Sequence, residues 1–150
     1  MGAYQTVLVG TDGSDSSYRA VDRAAEIARD TAARLVIVCA YERATAREVA
    51  MAEDVLRDEA FTVAGSAPAE ETLRTAAERA AARGADKVER VPVEGEPVKS
   101  LMGALEAHQA DLLVVGNRGL NTIAGRLLGS VPAAVSRRSP CDVLIVHTVS

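Results

Sequence analysis

Five short apolar runs recur along the chain and are separated by longer stretches of mixed polarity. They occupy residues 6–9, 35–40, 88–93, 112–115 and 143–146. Four of these runs are continuous instead of alternating with polar residues, which is typical of strands buried on both faces. The pattern therefore predicts five strands in a sheet that is covered on both sides.

Between the runs, apolar residues repeat at the spacing of amphipathic helices. The three clearest stripes are Val21, Ala24, Ala25 and Ala28, then Leu73, Ala76, Ala77 and Ala80, then Val98, Leu101, Met102 and Leu105. A shorter helix is predicted from about Val131 to Arg138, before the last strand. Pro97 suits a first helical turn and Gly84 suits a helix end. Strands alternating with helices of this length predict βαβ units and a doubly wound α/β fold with a parallel sheet.

The third run contains Pro92, which has no N–H to donate to a neighbouring strand. Proline inside a strand favours a position at the lateral edge of a sheet. This placement fits a five-stranded, Rossmann-like parallel sheet of order 3-2-1-4-5, in which the winding reverses between strands 1 and 4.

Composition narrows the class of protein. The chain has 150 residues, 48% of them hydrophobic and 25% charged, which favours one domain over residues 1–150. The net charge of −4 and an aromatic content of only 3% disfavour nucleic-acid binding. No apolar run approaches the ~18 residues that a membrane span needs. Two cysteines, Cys39 and Cys141, indicate a reducing compartment instead of a disulfide framework, so we expect a cytoplasmic protein.

Residues 42–66 depart from the strand–helix alternation. Their acidic sequence predicts an exposed helical insertion whose carboxylates form a solvated face, namely Glu48, Glu53, Asp54, Asp58 and Glu59. The stretch 45–60 is our candidate for a surface that contacts a protein partner.

The segment "GNRGLNTIAGRLLGS", residues 116–130, places four glycines between the fourth strand and the last helix. Gly116, Gly119 and Gly129 allow the backbone to approach a ligand without a Cβ in the way. Ser130 suits the N-cap of the following helix, whose free N–H groups and partial positive charge attract phosphate. Arg118 is one of two cations in the loop. We interpret this loop as a phosphate-binding segment.

A second polar segment, "GTDGSDSS" at residues 10–17, follows the first strand. In an open parallel sheet, ligands bind beyond the carboxyl ends of the strands where the winding reverses. Here that rule places the two polar segments side by side. We interpret Asp12 as a ligand contact or helix cap, and Asp15 as a charge that favours the helix N-terminus.

Other common site types are not indicated. The chain lacks the P-loop pattern G-x-x-x-x-G-K-[ST] and the dinucleotide pattern G-x-G-x-x-G after strand 1. His108 and His147 have no third ligand at a suitable spacing, so no metal site built from protein side chains is predicted. No nucleophile–histidine–carboxylate arrangement is evident, and we expect no catalytic residues and no enzymatic activity.

The glycine loop resembles the motif of a known family. Gly116, Gly119 and Gly129-Ser130 match the G-x2-G-x9-G-[ST] pattern of ATP-binding universal stress proteins. The stretches "TVLVGTDGSDSS", "ADLLVVGNRGL" and "GSVPAAVSRRSPCDVLIVH" are similar to that family's first strand and turn, fourth strand, and closing helix and strand. The resemblance covers essentially the whole chain. It implies the 3-2-1-4-5 sheet, a homodimer and an adenine nucleotide as ligand.

The resemblance also implies the nucleotide-binding residues. Asp12 and its neighbours would line the base and ribose, Ala40 would contact the adenine, and the glycine loop would hold the phosphates, with Mg²⁺ if the nucleotide is ATP. The full expected set is Gly10, Thr11, Asp12, Ala40, Gly116, Asn117, Arg118, Gly119, Gly129, Ser130 and Val131.

The choice between ATP and cyclic AMP stays open at this point. Many relatives carry Ser or Thr where this chain has Asn117 and Pro132, and Pro132 removes one N–H donor. A cyclic monophosphate needs fewer donors and no metal. We expect a regulatory sensor or nucleotide buffer, with a slow ATPase or a nucleotide-independent interaction module as alternatives.

The last strand predicts how two copies of the chain associate. The stretch from Asp142 to His147 is apolar and is predicted to lie at a lateral edge of the sheet. An unprotected edge strand invites pairing with another chain. We therefore expect a homodimer formed through this strand.

Overall fold

The computed structural model describes residues 2–42, 67–117, 122–123, 126–127 and 131–148. Its main sheet contains five strands, which we number β1 to β5. They are β1 (Thr6–Gly10), β2 (Arg34–Tyr41), β3 (Val88–Glu94), β4 (Leu112–Gly116) and β5 (Asp142–Val146). Each strand lies on one of the five predicted apolar runs. A separate antiparallel pair joins Thr122–Ile123 to Arg126–Leu127.

All neighbouring strands of the main sheet run parallel, in the order β3-β2-β1-β4-β5. Leu8 pairs with Val36 of β2 on one side and with Leu113 of β4 on the other. The predicted order and the reversal of winding between β1 and β4 are therefore confirmed. Strands β3 and β5 form the two lateral edges, as predicted for both.

Within the described residues, four helices cover the sheet. They are α1 (Asp15–Thr31), α2 (Ala67–Ala82), α3 (Pro97–Ala107) and α4 (Val131–Arg138). Pro97 is the first residue of α3, where its missing N–H costs no helical hydrogen bond. Gly84 follows α2 with φ +96°, a left-handed conformation that glycine adopts without strain. The predicted helix from 131 to 138 is confirmed at both ends.

The core is divided by the sheet into two layers. Val7 and Val9 of β1 point to the layer under α1 and α2, whereas Leu8 points to the layer under α3 and α4. All three side chains are fully buried. This burial on both faces explains why the strand sequences are continuously apolar.

A charged contact ties α1 to α2 on the first layer. Asp22 of α1 is 8% exposed and accepts two hydrogen bonds from Arg79 of α2, at 2.6 and 3.1 Å. Arg83 adds a longer contact to the same carboxylate at 3.4 Å. The Arg79 guanidinium also lies 5.2 Å from the ring centroid of Tyr18.

The predicted acidic insertion at 42–66 lies outside the described residues apart from Glu42, and so does the candidate partner surface at 45–60. Both cysteines are free thiols, in agreement with the sequence. Among the helices that the structure describes, none is long and apolar enough to cross a membrane.

Candidate functional site

The winding of the sheet reverses between β1 and β4, and β1, β2 and β4 all end at its carboxyl edge. Doubly wound sheets have their ligand-binding crevice at this edge, and we call this region the cleft. Strand β1 leads into α1 on one face, and α4 follows β4 on the other face. Gly10, Ala40 and Gly116 each lie at or next to the last residue of one of these strands. This is the position at which doubly wound sheets bind ligands.

The turn after β1 is built by hydrogen bonds within the protein. The Thr11 N–H donates to Val38 O at 2.9 Å, which extends the pairing of β1 with β2 by one residue. The Asp12 Oδ1 atom then accepts from the Ser14 N–H at 3.0 Å. Gly13 has φ +86°, and a Cβ there would lie 3.1 Å from the Thr72 Oγ1 atom of α2. The turn therefore needs glycine at this position.

Ser14 is the N-cap of α1, since its Oγ accepts from the Ser17 N–H at 3.2 Å. The sequence offered Asp12 as a ligand contact or as the helix cap, and the second of these interpretations was wrong. Aspartate and serine are both good caps and lie two residues apart here, so only the backbone geometry separates them. Asp15 lies in the first turn of α1, where a negative charge is favourable.

The Ser17 hydroxyl fixes the shape of the turn. It donates to Ser14 O at 2.9 Å, and it accepts from the Asp12 N–H at 3.3 Å. Because its one proton is used, the 2.8 Å contact with Thr11 Oγ1 places the proton on the threonine. This role of Ser17 was not predicted from the sequence. Its position in the run "SDSS" gave no sign that it would close the turn.

Cys39 precedes Ala40 in β2 and lies in a buried environment close to a negative charge. Burial, together with a smaller effect of the negative charge of Asp12, raises the pKa of the Cys39 thiol to about 11. The thiol is 5% exposed. The charge of the Asp12 carboxylate therefore reaches the end of β2, where it affects Cys39. Asp12 and Ala40, two of the predicted base and ribose contacts, thus belong to the same region of the fold.

At the end of β4, the predicted residue Asn117 contacts the segment that follows β5. Its Oδ1 accepts from the Thr148 N–H at 2.9 Å, and its Nδ2 lies 3.1 Å from His147 Nδ1. Since Oδ1 faces a donor, Nδ2 must donate to the ring, and His147 accepts through Nδ1. Sequence reasoning missed Thr148 as a neighbour of the site because 31 positions separate it from Asn117.

The structure brings together part of the predicted set. Gly10, Thr11, Asp12, Ala40, Gly116 and Asn117 meet at the carboxyl edge, and Val131 is the first residue of α4. Arg118, Gly119, Gly129 and Ser130 lie outside the described residues. What the described part of the cleft offers is backbone amides, hydroxyls and one carboxylate. Such groups suit the binding of phosphate and ribose.

Within the described ranges, no group of three His, Cys, Asp or Glu side chains is placed to hold a metal ion. A groove of about 370 Å³ lies between β3 and α3, lined by residues such as Val91, Val93 and Ala104. None of the predicted nucleotide-binding residues lines that groove.

Comparison with known proteins gives consistent matches along the whole chain. The chain matches the model of the Universal stress protein family over residues 3–147. Universal stress protein Rv1636 of Mycobacterium tuberculosis is 59% identical over 148 residues, which is 99% of each chain. A universal stress protein of Thermus aquaticus is 32% identical over 144 residues, covering 96% of this chain and 99% of that protein.

Among solved structures, a universal stress protein in complex with cAMP is 52% identical. The match covers 99% of this chain and 100% of that one, with a TM-score of 0.79. Family model, sequence relatives and structure therefore agree with the resemblance carried by the glycine motif. The chain belongs to the universal stress protein family.

Proposed function

We propose that this protein binds an adenine nucleotide at the carboxyl edge of its sheet and acts as a regulatory sensor or nucleotide buffer. The observation that carries the proposal is the cAMP complex of a relative that is 52% identical and matches end to end. The convergence of the β1 turn, the end of β2 and the start of the glycine loop at one cleft supports it.

In this proposal the base and ribose lie against Gly10, Thr11, Asp12 and Ala40. The Asp12 carboxylate accepts from ribose hydroxyls, because a carboxylate is an acceptor only. The phosphate contacts come from the other side of the cleft. They comprise the remaining predicted residues, which are Gly116, Asn117, Arg118, Gly119, Gly129, Ser130 and Val131.

The start of α4 favours cyclic AMP over ATP. Pro132 is the second residue of α4 and has no N–H, so the helix offers one donor fewer to phosphate oxygens than helices usually do. A cyclic monophosphate carries a single negative charge and needs fewer donors than a triphosphate. ATP would bring Mg²⁺, which prefers oxygen ligands and would be held largely by the phosphates and water.

We propose that the protein works by binding and not by catalysis. Phosphoryl transfer needs a positioned base and stabilisation of the developing charge. Two titratable groups that the fold places near the cleft already serve the structure. Asp12 accepts from the backbone of Ser14, and His147 accepts from Asn117. A slow ATPase activity is the alternative, and the absence of ADP formation over hours with Mg-ATP would rule it out.

We also propose a homodimer formed by the strand from Asp142 to His147. The two lateral edges of the sheet differ in how well they are protected. On β3, the bonds Leu35 N to Lys87 O and Gly95 N to Tyr41 O set the register, so Pro92 turns its missing N–H to the outer side. The missing donor makes pairing of a further strand with the β3 edge less favourable. Strand β5 contains no proline, and its residues 143–146 are apolar.

The nucleotide proposal is tested by calorimetric titration of nucleotide-stripped protein with cyclic AMP and, separately, with Mg-ATP at equal ionic strength. Ser130→Ala removes a proposed phosphate donor and should weaken binding by about tenfold, the value of one charge-assisted hydrogen bond. Ser136→Ala is the matched control, since the Ser136 hydroxyl donates its one proton to Ala133 O within α4. Absence of binding at millimolar nucleotide would refute the proposal.

The dimer is tested by sedimentation velocity together with amide hydrogen exchange. A dimer through β5 protects the outward amides of that strand, whereas those of Arg90 and Glu94 on the outer side of β3 exchange rapidly. Fast exchange on both lateral edges, with a monomeric sedimentation coefficient at micromolar concentration, would refute the proposed interface.

A further inference from the structure

Thr148, two residues beyond β5, uses all of its polar groups to join three separate segments. Its N–H and its Oγ1 both donate to Asn117 Oδ1, at 2.9 and 3.0 Å. Its Oγ1 lies 2.5 Å from Ser16 Oγ, and its carbonyl accepts from Arg19 Nη1 at 2.6 Å. The residue is only 5% exposed. We call Thr148, Ser16, Arg19 and Asn117 the Thr148 clasp.

The direction of each proton in the clasp follows from the chemistry of the groups. An amide oxygen only accepts, so Thr148 Oγ1 gives its proton to Asn117 Oδ1. The Ser16 hydroxyl must then donate to Thr148 Oγ1. Rotating the Asn117 amide by half a turn would set its NH₂ group against the Thr148 N–H, which can only donate. The Asn117 side chain therefore has one orientation, in which its Nδ2 donates to His147 Nδ1 on the opposite side.

The clasp also touches the backbone of the first glycine of the motif. A Cβ added to Gly116 would lie 3.0 Å from Thr148 Oγ1 and 3.2 Å from Ser16 Oγ. Both contacts are tighter than ordinary packing, so a side chain at 116 would push two hydrogen-bonded hydroxyls apart by a few tenths of an ångström. Glycine at 116 therefore leaves the clasp undisturbed, and the backbone at the end of β4 packs directly against Thr148 and Ser16.

We propose that Thr148 is a positioning residue for nucleotide binding. It does not contact the nucleotide. By holding Asn117 and packing on Gly116, it fixes the first two residues of the proposed phosphate-binding loop before the ligand arrives. Preorganised donors lose less entropy on binding, so loss of the clasp weakens affinity without removing any ligand contact. This inference rests on the proposed function above.

The test compares Thr148→Val with Thr148→Ser. Valine keeps the size of threonine and loses the hydroxyl, whereas serine keeps the hydroxyl. We expect T148V to bind cyclic AMP about five- to twentyfold more weakly and T148S to stay within about twofold of the unsubstituted protein. Thr31→Val is the matched control, because Thr31 Oγ1 donates only to Ile27 O at the far end of α1.

Thermal melts of all variants show whether each is folded at the titration temperature. Amide NMR shifts of Gly116 and Asn117 without nucleotide report the positioning directly, and they should move in T148V but not in T31V. Equal affinity of T148V and the unsubstituted protein would overturn the positioning role while leaving the proposed function intact. If the unsubstituted protein binds neither cyclic AMP nor Mg-ATP, the proposed function fails and the inference fails with it.

Discussion

Replacing Asp22 by asparagine tests whether the charged contact between α1 and α2 contributes to stability. The Asp22 side chain is 12% exposed, and Arg79 binds both of its oxygens. Asparagine keeps the shape but turns an NH₂ group toward the guanidinium donors. The Arg79 guanidinium then loses its charged acceptor. Removing one partner of a buried ion pair destabilises a protein more than replacing both partners by apolar residues.

The loss of unfolding free energy in Asp22→Asn depends on how far water screens the charges of Arg79 and Arg83. Breaking a fully buried pair costs about 3–5 kcal/mol, whereas an exposed pair contributes at most about 1 kcal/mol. Arg79 is 38% exposed and Arg83 49%, so water screens part of the interaction. We expect Asp22→Asn to lower the free energy of unfolding by about 2 kcal/mol, or about 6 °C in Tm for a chain of this size.

Urea unfolding followed by circular dichroism measures this difference, with an unchanged m-value as the check that unfolding stays two-state. Glu71→Gln is the control, because the Glu71–Arg74 pair has side chains 63% and 60% exposed and should change the free energy by less than about 0.5 kcal/mol. If the two substitutions cost the same, burial does not decide the strength of these pairs. The double variant with Arg79→Met then measures the coupling itself.

Two other predictions follow from the turn and from the cysteines. Ser14→Ala removes the N-cap of α1 and should cost about 1 kcal/mol of unfolding free energy, while Ser14→Asp should restore it; equal stability of both variants would exclude a capping role. Because burial raises the pKa of the Cys39 thiol to about 11, only about one molecule in a thousand carries the thiolate at pH 8. Iodoacetamide at pH 8 should therefore alkylate the half-buried Cys141 and leave Cys39 unmodified until urea unfolds the protein, as mass spectrometry of the peptides will show. Labelling of Cys39 should increase between pH 9 and 11, and early labelling at pH 8 would contradict its burial.

The sheet could be predicted from the sequence because its physical causes are local. Strands buried on both faces need continuous apolar runs, and each of the five runs became a strand of the main sheet. Pro92 marked a lateral edge for an equally local reason, since a residue without an N–H cannot serve a central strand. The register then added a detail that the sequence lacks, namely that its missing N–H faces outward.

The site was predicted only in part, because its internal contacts join residues that are far apart in the chain. The hydrogen bond between Ser16 and Thr148 joins residues 132 positions apart, and no periodic pattern in the sequence predicts it. The family resemblance pointed to Gly116 but not to the reason for its glycine. The N-cap of α1 was also not predicted, although the residues involved are close in the chain. Asp12 and Ser14 are both good capping residues, and only the backbone conformation makes Ser14 the cap.

The glycines that end β1 and β4 show how packing and binding share one feature of the sequence. A Cβ on Gly10 would lie 3.0 Å from Leu101 Cδ2 of α3, and one on Gly116 would meet the Thr148 and Ser16 hydroxyls. Both strand ends are therefore held closely by the protein itself. Backbone amides beyond them can be fixed in direction without help from a ligand, which is the condition for strong electrostatic recognition of phosphate. Close packing of glycine at these two strand ends would thus support binding indirectly, in addition to the nucleotide contacts proposed for Gly10 and Gly116 themselves.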